Sequence, residues 1–223
     1  MKTEFEKFAI GHLGMSSSTL DSFNKTTNGL YLPNNVATPN IVEERPQNVA
    51  IMSVFDRLMR DRKIFYIGEV GDGACAVITA QLLFLDSISN DEITMHIMSP
   101  GGSVYAGMAV IDTMNFIKSD VRTVCIGYGA SMGYMLTICG TKGKRMALKH
   151  ARLMQHQPMG GAQGQASDIA ITYKEIEKLK QELYTIISEK TGQPYEKIEK
   201  DCDRDYWMTA EEAKIYGAID EVI

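Results

Sequence analysis

From residue 63 to residue 139 the chain alternates between two hydrophobic periods, and few folds accommodate that alternation. "KIFYIGEV" (63–70) reads as a strand, and "GACAVITAQLLFLDSIS" (73–89) as a largely apolar helix. "EITMHIMS" (92–99) is the next strand, followed by the turn "PGGS" and a helix over "VYAGMAVIDTMNFIKS" (104–119). "VRTVCIGYG" (121–129) is a strand that runs straight into a helix from Ser131 to about Cys139. Strands joined through intervening helices need right-handed crossovers between parallel neighbours, so the pattern predicts an α/β fold.

The flanks have other textures. Residues 15–40, "MSSSTLDSFNKTTNGLYLPNNVATPN", are dense in Ser, Thr and Asn with little apolar periodicity, which predicts a flexible leader or pro-segment and a folded domain starting near residue 40. After His156 the chain becomes rich in Gly and Gln ("PMGGAQGQ", 158–165), then enters "ASDIAITYKEIEKLKQELYTIISEKTG" (166–192). There Ile169, Tyr173, Ile176, Leu179, Leu183, Ile186 and Ile187 recur at helical spacing until Gly192 and Pro194 end the pattern. One long amphipathic helix follows from this, and the pattern is equally compatible with packing on a partner subunit and with covering its own sheet. "TAEEAK" (209–214) opens a last short helix with Thr209 as N-cap.

At 223 residues, 44% hydrophobic and 23% charged, the chain can bury one sizeable core. Its formal net charge of −5, with Lys and Arg scattered, argues against a nucleic-acid partner. Cys75, Cys125, Cys139 and Cys202 lie far apart without a CxxC pair, which fits buried thiols in a reducing compartment better than disulfides or zinc. No stretch reaches the roughly 18 consecutive apolar residues of a membrane span. "MKTEFEKFAI" carries glutamates where a secretory signal is basic, and no Arg precedes Arg45, so a cytoplasmic location is expected.

Ser131, in "GYGASMGYM" (127–135), admits two readings. Ser is a favoured N-cap, and Gly129, Ala130 and Gly133 suit any tight strand-to-helix turn. The same position suits a nucleophile on a strained elbow, with a helix N-terminus beside a developing oxyanion. "SPGGS" (99–103) adds a second source of backbone donors, and the N–H groups of Gly102 and Met132 are the candidates for an oxyanion hole. A serine needs a base, and the histidines are His12, His96, His150 and His156. His12 falls in the leader, His96 alternates along a strand, and His150 sits in a solvated setting, whereas His156 lies where a strand gives way to a loop, a place that displays catalytic groups. An α/β-hydrolase would need a later histidine, and none follows residue 156. The orienting acid is then sought in "DCDRD" (201–205), where spacing does not choose among Asp201, Asp203 and Asp205, and a solvated acidic turn is an equal reading. No HExxH, Cys pair or GxxxxGK[ST] occurs, so neither a metal centre nor a phosphate loop is expected.

With these residues in view, the chain from about residue 55 to 223 resembles the Clp protease proteolytic subunits (ClpP). The resemblance is carried by "FDRLMRDRKIF", "AQLLFLDS", "MSPGGSVYAGMAVIDTMNFIKSDVRT", "GYGASMGYML", "KGKRMAL", "RLMQHQPMGGAQGQASDI" and "DCDRDYWMTAEEAKIYGAIDEVI". It implies a crotonase/ClpP-like ββα spiral core with a protruding strand–helix handle at about 158–190, within one peptidase domain over 38–223 after a leader at 1–37. It implies a serine endopeptidase with Ser131 as nucleophile, His156 as general base and Asp205 as orienting carboxylate, and it matches Gly102 and Met132 to the oxyanion hole. Gly101, Gly160 and Gly161 are implied as peptide-binding positions, the latter two by strand addition. Asp203 and Arg204 match a charged pair that links facing rings. Further expectations are a homo-oligomer of two stacked heptameric rings, an AAA+ unfoldase of the Clp type that supplies the ATP chemistry, unfolded protein substrates, and no cofactor in this chain.

The chain departs from the family pattern at Met98, where Asn is common, and at Thr94 and His96, where a docking strand often carries tyrosines. A non-catalytic ring subunit would be favoured by a changed Ser131, His156 or Asp205, and all are intact. An acyl-CoA enzyme of the related crotonase-like spiral would need no such set.

Overall fold

The computed structural model describes residues 40–45 and 48–223, with side chains from Met52 onward; the expected leader at 1–37, and His12 with it, lie outside the described residues. β1 (Asn40–Arg45) and β2 (Asn48–Ser53) pair as a two-stranded sheet, and Ser53 opens α1 (Val54–Arg60) through a capping box with Asp56. Then the alternation begins: β3 (Lys63–Ile67), α2 (Asp72–Ile88), β4 (Ile93–Ser99), α3 (Val104–Phe116), β5 (Val121–Ala130) and α4 (Met132–Ile138). The expected strand over 63–70 stops at Ile67 because Gly68 takes φ 104°, and Val70 returns only as a single parallel bridge to Gly102.

β3, β4 and β5 pair parallel in that order. β5 then changes partner along its length. Thr123–Cys125 pair with β6 (Arg145–Ala147), and Tyr128–Ala130 pair with β7 (Arg152–Gln155), both parallel. The switch falls at Gly127, whose φ of 78° turns the strand between its two partners. β6 continues to β9 (Glu221–Val222), and β7 pairs antiparallel with β8 (Tyr206–Thr209). This forked, largely parallel sheet covered by helices is the α/β architecture expected from the alternation.

Along β4, Ile93, Met95, Ile97 and Ser99 are buried beneath α2, α3 and α4, while Thr94, His96 and Met98 on the opposite face are half-buried. The core gathers around Leu82, Ile93, Ile97, Val110, Leu136 and Leu153. His96 stacks on Phe65 at 4.8 Å, and burial holds its pKa below the usual histidine range against the opposing Ile64 backbone. His150 is exposed.

The long helix is present as α5 (Ala166–Thr191), ended by Gly192 at φ 77°. The reading that it covers its own sheet holds for the C-terminal half, where Leu183, Tyr184 and Ile187 are buried against the domain; residues 166–171 are exposed. α6 (Tyr195–Asp201), β8 and α7 (Ala210–Tyr216) close the chain, and Thr209 caps α7 through a capping box with Glu212. The Gly-rich segment 158–165, implied as the strand of the handle, pairs with no strand among the described residues. A strand needs a partner for its backbone groups, and this segment runs outside the sheet.

Candidate active site

Strand register brings three of the predicted residues together. Ala130 ends β5 opposite Met154 of β7, so Ser131 leaves β5 beside the point where His156 leaves β7. Gln155 is also the last antiparallel partner of Tyr206, which puts Asp205, just before β8, against His156. The side chains meet accordingly: Ser131 Oγ lies 2.8 Å from His156 Nε2, and His156 Nδ1 lies 3.1 Å from Asp205 Oδ1. His156 is 13% exposed at its side chain and Asp205 61%. Asp201 is occupied elsewhere, accepting a hydrogen bond from the Tyr216 hydroxyl at 2.7 Å and pairing with Lys197 at the end of α6. Asp203 is exposed, and the bond it makes here is through its carbonyl, which accepts from Gln157 Nε2.

Ser131 occupies the N-cap position of α4, yet its side chain makes no capping bond. Its φ of 54° with ψ −120° lies in a region that non-glycine residues rarely adopt. The elbow is tethered by Ser131 N–H donating to Met154 carbonyl at 2.9 Å and by Met135 N–H donating to Ser131 carbonyl at 3.1 Å. With the backbone fixed this way, Oγ is turned from the helix toward His156, so the ordinary N-cap reading does not describe this serine.

The candidate oxyanion donors follow from the same turn. The Val70 bridge uses Gly101 carbonyl and Ser103 N–H, at 2.8 and 2.7 Å, so the intervening Gly102 N–H faces away from Val70. Met132 is the first residue of α4, whose N–H has no intrahelical acceptor. Gly101 packs under the serine: at its φ of 96°, a Cβ would stand 2.6 Å from Ser131 Cβ and 2.9 Å from Met132 N.

A groove of about 610 Å³ runs past the histidine, lined by Pro158, Met159 and Gly160 on one side and Asp203, Arg204 and Asp205 on the other. Gly160 abuts Ile176 of α5, and Gly161 stands next to it in open space. Beside Ser131 a smaller cavity of about 30 Å³ is bounded chiefly by Val104, Met132, Met135, Pro158, Leu183 and Ile187. Gln157, which sequence reasoning passed over, ties the two sides of the histidine: its N–H donates to Cys202 carbonyl at 2.6 Å and its Nε2 to Asp203 carbonyl at 2.9 Å. Only the adjacency to His156 could have flagged it.

Burial pushes the Cys125, Cys139 and Cys202 thiols up to about 12, and raises that of Cys75 against its hydrogen bond with Tyr66, so none is a thiolate near neutrality. Among the described residues no group of three or more His, Cys, Asp or Glu is arranged to hold a metal ion, and no helix is long and apolar enough to cross a membrane. What the assembled groups can do is acyl transfer: a serine hydroxyl on a base, with backbone donors at a helix N-terminus.

Comparison with known proteins gives the same reading independently. The family profile described as Clp protease matches residues 46–223. The ATP-dependent Clp protease proteolytic subunit of Bacteroides fragilis is 54% identical over 221 residues, covering 99% of this chain and 98% of the relative. That of Bacteroides thetaiotaomicron is 54% identical over the same shares, and that of Porphyromonas gingivalis 51% identical over 99% of this chain and 97% of its own length. With a matched profile over most of its length and full-length relatives of this identity, the chain belongs to the Clp protease family and is a serine peptidase.

Proposed function

We propose that Ser131, His156 and Asp205 form the catalytic triad of an endopeptidase that cuts unfolded proteins to short peptides inside a barrel of two stacked heptameric rings, fed by an AAA+ unfoldase. The observation that carries this reading is the unbroken contact from Ser131 Oγ through the imidazole to the Asp205 carboxylate, at 2.8 and 3.1 Å. Asp205 accepts from Nδ1–H, which leaves Nε2 unprotonated toward the serine. His156 takes the Oγ proton as oxygen attacks the peptide carbonyl, and the imidazolium is stabilised by Asp205 while Gly102 and Met132 N–H groups receive the oxyanion. Collapse returns the proton to the leaving amine, and water repeats the cycle on the acyl-enzyme.

The substrate backbone pairs with the Gly-rich segment at Gly160 and Gly161 and passes Gly101, so main-chain bonds give affinity with little side-chain discrimination. Asp203 and Arg204, exposed at the groove rim, serve as the contact between facing rings. The relatives' names carry "ATP-dependent", and the ATP chemistry is assigned here to the unfoldase, this chain needing no cofactor. The half-buried face of β4 that bears Thr94, His96 and Met98 is the docking surface in this reading, the cytoplasm the location, and residues 1–37 a leader that Ser131 removes.

Intact-mass spectrometry of purified rings before and after a fluorophosphonate tests the core of this. A single adduct on Ser131, lost in His156→Ala, is expected. No adduct on assembled rings would point to a non-catalytic subunit, and a Ser131→Ala protein that still loses its leader when purified alone would sink self-processing.

A further inference from the structure

Asp205 is the most exposed member of the triad, and an exposed carboxylate exchanges its partners with water unless its backbone is held. β8 begins only at Tyr206, so the ladder restrains Asp205 from one side alone. On the other side the chain is fixed at Cys202, which is buried, and at Asp203, whose carbonyl accepts from Gln157 Nε2 at 2.9 Å. The Gln157 N–H adds the bond to Cys202 carbonyl, so residue 157 grips two successive carbonyls of the turn that leads to the acid. Between this grip and the β8 ladder only Arg204 and Asp205 remain.

We propose that Gln157 is a positioning residue for the reaction, one that holds the Asp205 carboxylate on His156 Nδ1 by clamping the Asp203 carbonyl with its side-chain amide. The inference rests on the triad reading above and goes beyond it. Any residue at 157 other than proline keeps the N–H that bonds Cys202 carbonyl, so what the side chain adds is specific: it restrains the last peptide before the Arg204–Asp205 pair. The amide is the right group, since a carbonyl needs a donor and Gln157→Glu would set acceptor against acceptor. Gln157 also lines the peptide groove, so a direct substrate contact is the competing role and must be separated.

A double-mutant cycle on assembled rings separates them, with a fluorogenic peptide, kcat and KM measured from pH 6 to 9, and ring mass verified by native mass spectrometry. Gln157→Ala and the near-isosteric Gln157→Met, which keeps the volume and loses the donor, are each expected to lower kcat about 10- to 100-fold with little change in KM. The acid limb of the pH–rate profile moves to lower pH in both. In an Asp205→Ala background the same substitutions cost less than about 2-fold, because the group they position is gone. Equal losses in both backgrounds, or a loss carried by KM, overturn the clamp and leave the triad standing. An Asp205→Ala protein as active as the parent overturns the triad reading, and the clamp with it.

Discussion

At Ser131 the backbone does what the side chain alone cannot. A φ of 54° on a non-glycine residue costs on the order of 1–3 kcal/mol, and it is maintained here by the bond to Met154 of β7 and the bond from Met135 of the helix it opens. Gly101 is the residue that makes room for this elbow, and its own φ of 96° excludes most side chains. Gly101→Ala is therefore expected to move Ser131 and Met132 N–H apart from their present geometry, since the new Cβ would lie 2.6 Å from Ser131 Cβ. A loss of about 100-fold in kcat is the expected outcome, read by peptide hydrolysis together with slower fluorophosphonate labelling at unchanged ring mass. Labelling at the parental rate would show that the elbow yields without cost. Tyr134 hydroxyl and Gln155 Oε1, both buried without a hydrogen-bond partner, mark a polar spot behind the serine.

Element by element, legibility followed hydrophobic period. β4, with alternate residues buried, and α2, with Cys75, Ile78, Leu82 and Leu85 inward, each carried a clean repeat and were found within a residue or two of their expected bounds. β6 and β9, of three and two residues, are too short to show any period, and the Arg145–Asp220 pair ties them together at the start of each strand. Arg145, 5% exposed, donates through Nε at 2.9 Å and Nη2 at 2.6 Å to Asp220, 20% exposed, and through Nη1 to Lys190 carbonyl at 2.7 Å, which binds the end of α5 to the sheet. The choice among Asp201, Asp203 and Asp205 was likewise hidden, because it is made by the β7–β8 register, a long-range pairing that local spacing does not encode. Burial raises the Asp220 pKa, and the Arg145 bonds outweigh it, so the carboxyl titrates below its ordinary 3.8. The unfolded chain thus takes up the proton first as pH falls, and the contribution is complete above that value and lost as pH drops through the folded pKa. Asp220→Asn strands the guanidinium and is expected to cost about 3–5 kcal/mol near neutrality. Thermal midpoints at fixed protein concentration should show the gap from the parent narrowing below about pH 4; a constant gap down to pH 2 would mean the pair contributes packing rather than charge.

At the scale of the whole molecule, the apolar stripe of α5 outruns the domain that covers it. Leu183 and Ile187 are buried by their own chain, but the same stripe continues to Tyr173, 61% exposed, and Ile169, 41% exposed, on the projecting half. Next to it the segment from residue 158 to 163 belongs to no strand ladder among the described residues. An apolar helical face beside an unpaired extended segment is a surface that a second copy can complete, by helix packing and by strand addition together. Each apolar side chain fully covered there is worth roughly 1.5–3 kcal/mol, and in the proposed double ring the gain repeats once per protomer, so a small local change becomes a large change in assembly. Ile169→Glu combined with Tyr173→Glu is expected to leave far-ultraviolet circular dichroism unchanged, since neither residue is in the core, while native mass spectrometry shifts from the double-ring mass to single rings or smaller species. Peptide hydrolysis should fall in parallel with the lost assembly and recover at raised protein concentration. If the double-ring mass persisted at micromolar protein, the projecting half of α5 would not be the contact, and its exposed stripe would have to be covered by something other than a second copy of this chain.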